Sequence, residues 1–129
     1  MKAAVWTTPG GPETIKLQQV PIFKPTKGQC LIRVRAFSLN RSELFTREGH
    51  TPTSIVKPPH VLGIEATGEV AECPGGEFKP GDVVVTAMGG LGRTSDGGYA
   101  EYACPPADQV LKIETNLPWE TLGGMAEML

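Results

Sequence analysis

The stretch 61–73, VLGIEATGEVAEC, limits the fold of this chain more than any other. It is an apolar run interrupted by Gly63 and Gly68, with one acid, Glu65, between Ile64 and Ala66. Glycine inside a strand weakens it and marks a bulge or the close approach of another backbone. A carboxylate among Val61, Leu62, Ile64 and Ala66 is costly to bury unless something pairs with it. The stretch therefore reads as a bent, buried strand with one polar member, Glu65, aimed at a partner. The alternative is that Glu65 reaches solvent or caps a neighbour.

Around it the sequence spells short strands divided by Pro/Gly turns. Residues 2–7 form a first strand stopped by Pro9-Gly10-Gly11-Pro12, and 14–20 alternate as a half-buried strand paired with it. Residues 29–38 alternate most clearly, with Arg33 and Arg35 on a face expected to meet solvent. Residues 83–85 follow the tight turn Lys79-Pro80-Gly81-Asp82 as a buried strand, and 99–102 and 110–113 read as two more. The 16 glycines and 12 prolines in 129 residues fit this pattern of many turns.

Two segments change period. Residues 40–49 predict a short helix, with Asn40 as N-cap, Glu43 closing a capping box, Leu44 and Phe45 as its apolar face, and Gly49 as its stop. Pro118 opens a second helix at its first position, with Leu122, Met125, Ala126 and Leu129 on one stripe. That stripe is still running at the last residue, so either the helix packs its end on the domain or a second domain follows. Together these elements predict a mostly-β, partly open barrel with short helices.

Charge and motif tests narrow the function. The net charge of −2 gives no footprint for nucleic acid, and no segment has the length of a signal peptide or a membrane span. Cys30, Cys73 and Cys104 are odd in number and far apart, which argues for reduced thiols in a cytoplasmic protein. Gly92-Arg93-Thr94-Ser95-Asp96-Gly97 lacks the Lys-Ser/Thr of a phosphate loop, and no dinucleotide fingerprint occurs. His50 and His60 have no second ligand at metal spacing and read as loop residues.

Four segments, AFSLNRSELFTREG (36–49), VLGIEATGEV (61–70), FKPGDVVVTAM (78–88) and GGYAEYACPPADQVLKI (97–113), resemble the GroES-like catalytic domain of medium-chain dehydrogenases/reductases. Within that superfamily the chain most resembles the zinc-independent quinone oxidoreductases. The resemblance implies that residues 1–129 are one GroES-like domain, and that a nucleotide-binding Rossmann domain follows residue 129, since 117–129 look like the helix leading into it.

It also implies what is missing. Zinc-dependent relatives carry a cysteine where Asn40 stands and a histidine where Ile64 stands, and they have a four-cysteine lobe that this chain lacks. An amide and an alkyl group are poor zinc ligands, so no metal is expected. By the same resemblance Asn40 lies near the nicotinamide and substrate, Arg41 contacts the cofactor pyrophosphate, Ser42 stands where a hydroxyl relays a proton, and Glu65 follows the lost histidine. The implied activity is hydride transfer from NADPH (or NADH) to a quinone or enone, in a cytoplasmic enzyme that is a homodimer at full length and has no nucleic-acid or membrane partner. Two alternatives stay open: a non-catalytic GroES-like binding or structural module, and a relative of the zinc-type alcohol dehydrogenases.

Overall fold

At Gly63 the backbone turns through a φ of 110°, and this divides the 61–73 stretch between two sheets. A Cβ at Gly63 would lie 2.8 Å from the Gly98 nitrogen, so the position needs glycine for conformation and for space. The computed structural model describes residues 1–126. Before the turn, β4 (His60–Val61) joins β1 (Lys2–Trp6) and β2 (Ile15–Gln19) in a three-stranded antiparallel sheet ordered β2-β1-β4.

After the turn, β5 (Glu65–Glu72) sits in the middle of a five-stranded sheet. Its neighbours are β3 (Leu31–Ala36), β6 (Val83–Ala87), β7 (Tyr102–Ala103) and β8 (Val110–Lys112), in the order β7-β3-β5-β6-β8. The single bent strand expected from the sequence is therefore two strands in two sheets. The sheets meet where Ala3 bridges Ala100 and the Ala4 N–H donates to the Tyr99 carbonyl at 2.8 Å. The result is the expected mostly-β, partly open barrel with short helices, α1 (Arg41–Glu48) and α2 (Trp119–Gly123).

Gly68 explains how β3 and β5 pack. It pairs with Val34, and a Cβ there would run into the carbonyl oxygen of Arg33. Cys30, Ile32, Val70, Val84, Ala107 and Val110 form the main core on the inner face of this sheet. Arg33 and Arg35 point out, as their alternation requires, and Arg35 Nε donates to Glu69 Oε1 at 2.9 Å across the strands.

Four local expectations change. Leu44 and Phe45 do not face the core: the buried members of α1 are Glu43 and Thr46, because hydrogen bonds rather than apolar packing fix this helix. β2 is an edge strand with Leu17 74% exposed, so it is less buried than its alternation suggests. In β6 only Val84 of the three valines is fully buried, since side chains alternate across the sheet. Pro118 is the N-cap of α2 rather than its first residue. Leu122 is buried and Met125 and Ala126 are half-buried, while Leu129 lies outside the described residues. Among the described residues no helix is long and apolar enough to cross a membrane.

Candidate functional site

The start of α1 and the turn between β4 and β5 are held together by one carboxylate. Asn40 is extended (φ −123°, ψ 154°), as an N-cap must be, and Gly49 closes the helix in the left-handed region at φ 95°. Glu43 Oε2 accepts the Asn40 N–H at 2.7 Å, the half of the capping box expected from the spacing. Its other oxygen accepts the Ile64 N–H at 2.9 Å, across 21 residues of sequence. Further bonds dock the helix: Trp6 Nε1 donates to the Arg47 carbonyl at 3.2 Å, and Arg47 Nε donates to the Gly10 carbonyl at 3.1 Å.

Glu65 is fully buried. Its Oε1 accepts the Ser38 N–H at 3.2 Å and also the Ser38 hydroxyl, so the partner the sequence called for is Ser38. Its Oε2 has no partner. Two other buried side-chain atoms share that condition among the described residues, Asn40 Nδ2 and Ser42 Oγ. A buried polar group left unpaired costs about 1–3 kcal/mol, so it is rare without a reason. Here the orphaned atoms belong to three of the four residues singled out from the sequence.

The fourth, Arg41, is exposed and makes no ion pair with any described residue. Asn40 and Arg41 line a cavity of about 510 Å³ together with Leu39, Glu43, Leu44 and Tyr99. Ser42 and Glu65 are not on its wall. The structure thus brings Asn40 and Arg41 to one opening and leaves Ser42 and Glu65 in the packed region beside it.

Glu43 and Tyr99 escaped the sequence reading as site residues. Glu43 was legible only as a cap, because its bond to Ile64 spans a tertiary contact. Tyr99 packs on Phe37 with ring centroids 4.8 Å apart. Burial, and then the charges of Glu43 and Glu65, push its phenol well above the usual tyrosine range. An aromatic between Gly97-Gly98 and Ala100 is ordinary strand material, so no local signal marked it.

A catalytic zinc does not fit these residues. Ile64 offers an alkyl group, and its backbone N–H is already bound to Glu43. No group of three or more His, Cys, Asp or Glu side chains suited to a metal ion occurs among the described residues. His60 is occupied otherwise: its Nε2 donates to the Ser95 carbonyl at 3.0 Å, and its Nδ1 lies 3.4 Å from Asp96.

Known proteins resemble this arrangement along most of the chain. The alcohol dehydrogenase GroES-like domain family matches residues 26–115. A quinone oxidoreductase of Pongo abelii is 40% identical over 119 residues, covering 86% of this chain and 33% of the relative. A zinc-type alcohol dehydrogenase-like protein of Schizosaccharomyces pombe is 31% identical over 104 residues, covering 80% of this chain and 31% of the relative. Among solved structures, the quinone oxidoreductase from Coxiella burnetii superposes with a TM-score of 0.86 at 29% identity, over 97% of this chain and 40% of that one. The chain spans about a third of the length of the curated relatives it matches.

Proposed function

This chain belongs to the alcohol dehydrogenase GroES-like domain family, and from that premise we propose that it is the substrate-side domain of an NAD(P)H-dependent, zinc-independent oxidoreductase that reduces a quinone or enone. The nucleotide half of the enzyme is then a Rossmann domain following residue 129, and the full-length protein is a cytoplasmic homodimer acting on a small molecule. The observation that carries the reading is the orphaned Asn40 amide beside Arg41 on the wall of one cavity. A ligand carbonyl oxygen presented there would relieve the amide.

The residues suit a dinucleotide. Arg41, which makes no ion pair with any described residue, stands at a helix N-terminus, where free backbone N–H groups add to its charge and favour a pyrophosphate. The Asn40 amide donates to a carbonyl oxygen presented in the cavity. When bound, the reduced nicotinamide supplies a hydride. Leu39 and Leu44 give the cavity an apolar wall for the substrate's ring carbons. A quinone or enone spreads the incoming negative charge over a conjugated system, so one amide donor on the oxygen is enough help, whereas a simple ketone or alcohol needs a stronger electrophile.

The test is to express the full-length protein and follow NADPH oxidation with a 1,4-quinone beside NADP⁺ reduction with simple alcohols. Quinone-dependent oxidation that survives a chelator is the expected result. Turnover of alcohols alone, or activity abolished by the chelator, would sink the reading.

A further inference from the structure

Cys30 and Cys73 face each other across the end of the β3–β5 ladder. The register pairs Ile32 with Val70 and Leu31 with Glu72, with a bulge between the two pairs. One step outward, antiparallel geometry sets Cys30 opposite Cys73. Alternation puts Cys30 on the face of Ile32, and the bulge returns Cys73 to the face of Val70. Both cysteines accordingly meet in one apolar cluster with Ile32 and Val70. Directly opposed residues on antiparallel strands have Cα atoms about 4.5–5.5 Å apart, within the roughly 4.4–6.8 Å that a disulfide bridges. Cys104 is excluded from this pairing. Ile32 pairs with Ala103, so Cys104 falls opposite Leu31 and on the other face of the sheet from Cys30.

The two opposed thiols are free and unequal. Cys30 has no exposed surface, whereas Cys73 is half-buried, and its Sγ lies 3.6 Å from Glu77 Oε1 at the protein surface. Burial, reinforced by the neighbouring Cys73 thiol, pushes Cys30 up to about 12, so at neutral pH it is the protonated member of the pair. An oxidant from solvent therefore meets Cys73 first.

We propose that Cys30 and Cys73 are a reversible thiol pair that closes to an intramolecular disulfide when the protein meets a hydroperoxide. In the first step the Cys73 sulfur attacks the peroxide oxygen. The O–O bond breaks, giving Cys73 sulfenic acid and releasing water or an alcohol. In the second step the Cys30 sulfur attacks the Cys73 sulfur, the S–S bond forms, and the sulfenic hydroxyl leaves as water with the Cys30 proton. Two thiols lose two electrons, and the peroxide bond takes them. The staple joins the start of β3 to the end of β5. The opposite ends of these two strands lead to Ser38 and begin at Glu65, so the pair closes the far end of the ladder that carries the candidate site.

The intact chain is treated with hydrogen peroxide, and free thiols are counted after denaturation. The count should fall from the three thiols present to one, and a dithiol reductant should restore it. A proteolytic map should show one linked peptide pair, Cys30 with Cys73, in a monomer lighter by two hydrogens. Cys104→Ser should still close the bridge, while Cys73→Ser should keep both of its remaining thiols. Unchanged thiol counts, over-oxidised Cys73 beside a free Cys30, a bridge that includes Cys104, or a bridge between two chains would each overturn the proposal.

Discussion

Glu43 accepts the Ile64 N–H at 2.9 Å with one carboxylate oxygen and the Asn40 N–H at 2.7 Å with the other. One buried side chain thus ties the start of α1 to the turn that feeds β5. Glu43→Ala leaves both donors unpaired, and hydrogen bonds to a charged group contribute about 1.5–3 kcal/mol each. A loss of about 3 kcal/mol or more is expected in urea unfolding, and Glu43→Gln, which keeps one acceptor oxygen, should lose about half as much. Equal stability of wild type and Glu43→Ala would mean that the bridge contributes nothing.

Gly68 should tolerate no side chain. A Cβ there meets the Arg33 carbonyl, a backbone atom on the paired strand that cannot swing aside. Gly68→Ala should cost about 3 kcal/mol, the upper end of ordinary overpacking. Gly76→Ala is the control: it has a φ of 80° but open space around it, and should cost about 1 kcal/mol of backbone strain. Similar urea midpoints for the two variants would refute the close-approach account.

Alkaline pH should weaken the fold. Cys30 is raised from 9.0 to about 12, chiefly by burial, and Tyr99 is raised above 10.0 by burial and then by Glu43 and Glu65. The folded chain keeps these protons at a pH where the unfolded chain sheds them. Stability is therefore whole below the unfolded values and falls as pH climbs through 9.0 for Cys30 and 10.0 for Tyr99. Urea midpoints measured from about pH 7 to about pH 11 should decline, and Cys30→Val should delay the onset of the decline. A flat profile, or one identical in Cys30→Val, would contradict this.

Arg41 and Asn40 separate function from scaffold in the full-length protein. If Arg41 holds a pyrophosphate, Arg41→Ala should raise the cofactor KM by about tenfold to a hundredfold, the equivalent of roughly 1.5–3 kcal/mol. Its melting temperature should barely move, because the side chain is exposed and makes no ion pair among the described residues. Asn40→Ala should cost about 1 kcal/mol of stability through the helix cap, whatever it does to turnover. An unchanged cofactor KM in Arg41→Ala would leave the arginine as a solvated charge.

Local chemistry was legible in the sequence wherever its cause lies within a few residues. The ends of α1 follow from Asn40, Glu43 and Gly49, because a cap is a contact across three residues and a left-handed stop is a property of one. The division at Gly63 and the close approach at Gly68 were marked by glycine itself, and the alternation of Arg33 and Arg35 placed them outward. The four family segments span enough of the chain to identify its fold.

Tertiary structure decided which of those side chains are buried and against what. Leu44 and Phe45 are apolar yet face outward, while Glu43 and Glu65 are charged residues and buried, because backbone N–H groups and Ser38 on distant segments were waiting for acceptors. The opposition of Cys30 and Cys73 depends on a bulge in the β3–β5 register, and no local pattern encodes a bulge's place in a ladder. Sequence determines propensity and spacing, which act over one turn or one strand. Burial and pairing arise from contacts between segments tens of residues apart, so only the folded chain shows that Asn40, Ser42 and Glu65 keep atoms without a partner among the described residues around the start of one helix.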